Sequence, residues 1–437
     1  MNRRHLGLVL AWLLASSLMA QPVSGVRLNE AFSKDRQYHV QCSVEITGTL
    51  GLPANNGGVA KALKVAGKSN LSYDERILAV LGDGTVERTI RAYRQLEFER
   101  KVGDEEQHNK LRPEVRRLVV LRRKQYEIPF CPTAPMTWGE VELVRTDVFS
   151  PALRGLLGDR AVNTGERWRA DTTAIQELTD LERIDKSDLT CTFEKVTTLL
   201  GRRNAHVSFE GRVHGLGEDG LAMHELRGFC SVDIDAGFIS YVYVKGTHHL
   251  LDKAGTPTGK IEGTFVMTRT PAPVTRELSD DALRGLTLEP KAENTTLLFD
   301  QPNVGVRFLY PRNWRVAGAN EKQIGIDENR GSGVLITLGT AAAIPTAVQF
   351  HQEASQFLVK QGARVFREEK PRPLGGGWDG FTFDTEIAKE RVVLHYSVTR
   401  QGNQGATFTS RILPADASSV QRDLDLMMRT LQLRTLR

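Results

Sequence analysis

Ten histidines occur in this chain, and five of them, His206, His214, His224, His248 and His249, fall within 44 residues. Neutral imidazoles on adjacent strands can converge on a metal or act as bases, so hydrolytic chemistry would sit in this region. No two of them have the three- or four-residue spacing that places a ligand pair on one helix face, and no Asp or Glu repeats consistently beside them. Two glycine patterns imitate nucleotide sites. Gly67-Lys68-Ser69 ends like a phosphate loop, but Ala62 stands where the first glycine belongs and the segment reads as extended. Gly215-Leu216-Gly217-Glu218-Asp219-Gly220 matches a dinucleotide fingerprint literally. A strand-like run follows it where a helix is required, so a hairpin loop is expected. Arg330-Gly331-Ser332-Gly333 lacks the frame of a nucleophile elbow. Asp104-Glu105-Glu106 and Asp280-Asp281 are neighbours in polar loops, whereas paired catalytic carboxylates converge from separate elements.

No catalytic, cofactor or metal set emerges, and a non-catalytic binding or scaffold protein is expected. The alternative is an exported hydrolase using the histidine-rich region 206–249. Residues suited to contact are more visible. The stretch from Arg112 to Lys124 holds Arg116, Arg117, Arg122 and Arg123, which together could touch an anionic surface. Trp378 lies beside a glycine-rich turn and is a candidate partner contact, although a Trp is more often packed into a core. The four cysteines, Cys42, Cys131, Cys191 and Cys230, allow three pairings, of which Cys191 with Cys230 within one sheet is favoured; free buried thiols are the other reading.

Compartment is read from the beginning of the chain. Arg3 and Arg4 precede the apolar run Leu6 to Leu14, and small residues follow to Ala20. This is the pattern of a secretory signal, with cleavage after Ala20 or Gly25. No later stretch approaches the roughly 20 apolar residues of a membrane span. Loss of Arg3 and Arg4 takes the formal charge from +5 to +3, too little to argue for nucleic acid. The expected location is periplasmic or extracellular, with a protein partner or an apolar ligand in the cell envelope and no membrane-spanning segment after signal removal.

Several elements must position any such site. Tyr38, Val40, Cys42, Val44 and Ile46 alternate with polar residues and predict a half-buried strand. Strand signals recur over 89–98, 115–128 and from Leu189 to Thr268, separated by turns such as Gly82-Asp83-Gly84 and Asp235-Ala236-Gly237. Ser150-Pro151-Ala152 starts a short helix. The pattern predicts an α+β protein in four parts. A signal over 1–25 is followed by a large antiparallel sheet or half-barrel over 26–270, a linker over 271–296 and an α/β unit over 297–437. In the last part, Ala347, Phe350, Ala354, Phe357 and Leu358 mark one helix, and Val420, Leu424, Met427, Met428 and Leu431 mark a closing one.

Tyr310, Pro311 and Trp314, with strands around two helices and a closing helix after a meander, resemble the PsbP-like fold superfamily over the C-terminal third. That resemblance implies an α/β/α sandwich and docking onto larger assemblies; no ligand set for an ion cofactor matches it here. Residues 38 to 270 resemble no named family, and their look is similar to exported sheet proteins of the lipoprotein-carrier type.

Overall fold

The computed structural model of this chain describes residues 25–52, 61–123, 126–158, 160–199 and 201–434. The expected signal, apart from Gly25, and Lys124 of the basic stretch lie outside them. The N-terminal strands are β1 (Gln37–Leu52), β2 (Lys61–Val80), β3 (Val86–Val102), β4 (Arg117–Arg123) and β5 (Tyr126–Phe130). They continue as β6 (Arg167–Arg169), β7 (Thr190–Leu199), β8 (Arg202–Gly217), β9 (Gly220–Asp233), β10 (Phe238–Leu251) and β11 (Pro257–Pro271). All join one antiparallel sheet in the order β6-β7-β8-β9-β10-β11-β1-β2-β3-β4-β5. Two short strands, Glu105–Lys110 and Arg183–Ser187, pair β3 and β8 at the side. The closing of β11 onto β1 brings distant segments together, so Val44 faces Phe265. The sheet is open, since β6 and β5 do not pair with each other among the described residues.

The glycine motifs find structural explanations. Gly217 pairs with Gly220 across the β8–β9 hairpin, which leaves Glu218 and Asp219 as the two turn residues. Gly67 lies in the middle of β2, where an added Cβ would stand 2.9 Å from the Ile46 side chain. Neither is a phosphate cradle.

Alternation decides which face is covered. The side chains of Tyr38, Val40, Tyr73, Val207, Cys230 and Val242 point to an inner face, and α1 (Trp138–Arg145), the 3-10 segment Ser150–Leu156 and α2 (Thr172–Thr179) lie over it. These helical pieces bury Val141, Val144, Leu153, Leu156, Ala174 and Ile175 in the same core. Each of the Val, Leu and Ile side chains among them contributes about 1.5–3 kcal/mol by leaving water. The start of α1 is locally encoded. Thr137 Oγ1 accepts from the Glu140 N–H at 3.2 Å, and Glu140 accepts in return from the Thr137 N–H at 2.8 Å. This is a reciprocal capping box. The Arg112 guanidinium then donates to Glu140 at 2.7 Å and ties the helix to the sheet.

Residues 271–296 do not hang free as a linker. Leu278 and Leu283 are buried against Ile90, Ala92, Val119 and Phe130 on the outer face of β3–β5. Arg76 and Arg117 donate to the carbonyls of Leu278 and Ala282, at 2.7 and 3.2 Å. The segment is a strap.

Past the strap, Leu297–Gln301 runs parallel to Met136–Thr137 and antiparallel to Val306–Tyr310. A second antiparallel sheet follows, made of β12 (Trp314–Ala319), β13 (Gln323–Glu328), β14 (Gly333–Thr340), β15 (Arg364–Gly375), β16 (Trp378–Ile387), β17 (Glu390–Gln401) and β18 (Gln404–Ile412). Its order is β12-β13-β14-β18-β17-β16-β15. On one face α3 (Ala347–Lys360) packs Ala354 and Leu358 against Phe381, Phe383 and Tyr396. On the other, α4 (Ala417–Thr430) buries Val420, Leu424 and Met427 in the core that holds Trp378, Phe408 and Ile326. The α+β class and the large antiparallel sheet are as expected from the sequence.

Three contact readings need correction. Trp378 is not a surface residue: it is buried, stands edge-on to Phe408, and donates from Nε1 to the Met428 carbonyl at 3.2 Å. Glycines at 375, 376 and 377, all with positive φ, make the turn that folds it inward. The basic stretch is not one face. Arg122 is nearly buried and paired with Glu177 at 2.6 Å, Arg117 holds the strap, and Arg116 and Arg123 are exposed. Period-two alternation sends neighbours to opposite sides. Cys191 and Cys230 carry free thiols, like Cys42 and Cys131. Cys191 faces Phe209 while Cys230 faces Val207, so all of β8 lies between them. Two strand spacings, about 10 Å, exceed the reach of a disulfide. Burial pushes the Cys191 thiol up to about 12.

Candidate functional site

A cavity of about 820 Å³ opens between the inner face of the sheet, α1, α2 and the Tyr310–Trp314 turn. Its floor is built by register. Val44, Phe265 and Val244 stand side by side on β1, β11 and β10, each opposite the next, and all three line the space. Trp138, Val141 and Val148 form an apolar wall from α1 and its exit. A volume of this size, apolar on one side and polar at its ends, suits a small amphipathic molecule.

The inner end is ionisable and dry. Arg91, fully buried on β3, donates from Nε to Glu75 at 2.9 Å and from Nη1 to Asp147 at 2.8 Å. Its guanidinium also lies 4.8 Å from the Tyr73 ring. Next to it, Arg122 pairs with Glu177 at 2.6 Å and Glu127 at 3.4 Å, and Glu177 accepts from the Phe149 N–H. Two guanidinium groups thus face four carboxyls. Burial pushes Asp147 up to about 7 against the pull of Arg91. It does the same to Glu177, against Arg122. Glu127 is raised for the same reason. An excess of buried carboxyls over cations is relieved by binding protons. Asp147 Oδ1, Glu127 Oε1 and Glu75 Oε2 have no hydrogen-bond partner. Clusters of this kind mark functional sites, and this one borders the cavity through Asp147, Glu127 and Glu177.

Three more arginines line the rim of the cavity. They are Arg145 from the end of α1, Arg312 from the Tyr310–Trp314 turn and Arg315 from β12, beside the carboxyls of Glu218 and Asp180. Tyr310 and Trp314 are buried anchors of that turn, and Trp314 Nε1 donates to Asp423 on α4 at 2.8 Å.

The five histidines do not converge. His206, His214 and His249 point from the outer face, whereas His224 and His248 point from the inner one. His206 is within 2.9 Å of Thr197 Oγ1 and 3.5 Å of Ser231 Oγ. His224 stacks on His248 with ring centroids 4.3 Å apart, and burial holds it down to about 3. Among the described residues no three His, Cys, Asp or Glu side chains form a metal-ligand group.

Comparison with known proteins adds a weak likeness of fold. No known family matches the sequence, and no curated protein matches it. The solution structure of cyanobacterial PsbP (CyanoP) from Synechocystis sp. PCC 6803 aligns at 15% identity and a TM-score of 0.26, covering 32% of this chain and 92% of that one. DynF from the dynemicin biosynthesis pathway of Micromonospora chersina aligns at 9% identity and a TM-score of 0.15, covering 58% and 88%. A Rh. blastica porin mutant aligns at 7% identity and a TM-score of 0.12, covering 86% and 98%. Similarity at this level is no guide to chemistry.

The sequence reading missed this site. Its residues come from many separate segments, and its charged members, Arg91, Glu75 and Asp147, are buried where an inward side chain is ordinarily apolar. One local signal was present: Thr137-x-x-Glu140, the cap of α1, the helix that carries Arg145 to the rim.

Proposed function

We propose that this chain is an exported binding protein of the bacterial cell envelope that carries a small amphipathic molecule between its large sheet and α1. The observation that carries the reading is the cavity of about 820 Å³ floored by Val44, Phe265 and Val244. Its size falls within the usual range for ligand sites, and the few convergent polar groups at its ends would set orientation. The basic leader with its apolar run supports export. No helix among the described residues is long and apolar enough to cross a membrane. The C-terminal sheet with its two helices would dock a partner, in keeping with its PsbP-like resemblance. A hydrolase would need a carboxylate and a nucleophile or metal gathered around one imidazole, whereas His206 has two hydroxyls and His224 has a second ring.

The test is native mass spectrometry of protein purified from its own host, before and after organic extraction. An extractable bound mass, displaced by a fluorescent fatty-acid analogue and lost in Phe265→Asp, supports the reading. A bare protein that also fails to bind the analogue refutes it.

A further inference from the structure

Two rim arginines have no carboxylate partner among the described residues. Arg312 gives Nη1 to the Pro129 carbonyl at 2.7 Å, while its Nη2 is buried without any hydrogen-bond partner. Arg315 lies over the Trp138 ring at 3.7 Å and donates to the Arg312 carbonyl at 3.4 Å. Arg145 completes the group but faces three carboxyls, Glu142 at 3.2 Å, Glu218 at 3.9 Å and Asp180 nearby, which together hold it above its usual value against the effect of burial. Three guanidinium groups repel one another on a half-buried rim. Burial, then Arg315 and Arg145, bring Arg312 down to about 10, with Glu127 and Glu142 pulling the other way by less.

Arg312 and Arg315, two neighbouring guanidinium groups without an ion pair among the described residues, offer a site to an anion. The planar fork of Arg matches the oxygens of phosphate or carboxylate, and donors already held in place bind them without a further ordering cost. The turn is held on both sides by buried Tyr310 and Trp314, so Arg312 is such a donor. Glu127 and Glu142 act on Arg312 only through space, and neither forms an ion pair with it. The same cavity then runs from these arginines onto the apolar floor of Val44, Phe265 and Val244.

We propose that Arg312 and Arg315, with Arg145, form an anion site that takes the phosphate or carboxylate headgroup of the ligand, while its apolar chain lies on Val44, Phe265 and Val244. This rests on the carrier reading above, and the two can fail separately. The probes are lysophosphatidic acid, the monoacylglycerol of the same chain length, and inorganic phosphate. Each is titrated calorimetrically below its micelle concentration into the full chain, Arg315→Gln and Arg312→Gln. Arg315 is exposed, so its variant keeps the fold, and thermal melting checks the other.

The proposal expects the phosphate-bearing chain to bind the parent protein at least about tenfold more tightly than the neutral one, with the advantage largely lost in both variants. Equal affinity for the charged and neutral chains overturns the anion site and leaves the carrier reading standing. A charge advantage that persists in both variants also overturns it. If inorganic phosphate binds as tightly as the lipid, and does so through these arginines, the anion site stands and the carrier reading falls. Binding of none of the three overturns both.

Discussion

Asp147 and Glu177 carry the clearest chemical signature at the scale of single residues. Both are buried carboxyls raised to about 7, far above the value near 4 of an unfolded chain. The folded state therefore holds these protons more tightly than the unfolded state. Their contribution to stability is fully present below about pH 4, falls as pH rises toward 7, and is gone above it. The slope is on the order of 1 kcal/mol per pH unit for each group that releases its proton. His206, His224, His248 and His395 are all held down by burial and act with the opposite sign over the same range. The measured quantity is therefore a difference: the thermal midpoint of the parent relative to Asp147→Asn with Glu177→Gln should fall from pH 5 to pH 8. A difference that stays flat or rises would contradict this assignment. Arg91 behaves differently because it is the counter-charge of this cluster. Arg91→Met leaves Glu75 and Asp147 buried without it and should cost about 3–5 kcal/mol in urea unfolding at pH 8.

Individual elements differ in how openly the sequence announced them. The strand around Tyr38 to Ile46 and the helices α3 and α4 were legible, because each has one wet face and one dry face and its periodicity survives. The strand from Thr89 to Phe98 was blurred for a physical reason. Ile90 and Ala92 are buried beneath the strap while Arg91 and Tyr93 are buried under the helices, so both faces are dry and the inward position holds a cation. The short helices α1 and α2 were not expected, although Thr137 and Asp171 are good caps. Eight residues are too few for a periodic pattern to stand out. The cap should matter: Thr137→Ala removes one half of the capping box and should cost about 1 kcal/mol by equilibrium denaturation. Because α1 supports Arg145, the same change should also weaken ligand binding in the titrations above.

At the scale of the whole molecule, the two sheets share a core. Buried residues of β1–β3 and β7–β11 form one contiguous cluster with Trp314, Phe408, Leu424 and Met427 of the C-terminal unit. Leu297 also pairs with Met136 across the boundary, and Arg312 donates to the Pro129 carbonyl. Unfolding should therefore be a single calorimetric transition, with no separate melting of the two sheets. Two resolved transitions would mean that the shared core contributes little.

From its own pattern the chain specified strands, turns and the two long helices, since hydrophobic periodicity and turn chemistry act over a few residues and need no distant partner. It also specified that the glycine motifs lie in hairpins and strands, because the helix a phosphate needs is missing from their flanks. Only the tertiary structure decided that residues 271–296 are a strap, that Trp378 turns inward and that Cys191 and Cys230 stand apart. It alone gathered Arg91, Asp147 and Glu177, and with them Arg145, Arg312 and Arg315, around one cavity. Those outcomes depend on which strands become neighbours, and pairing between residues as distant as Val44 and Phe265 is settled by the balance of burial over the entire sheet.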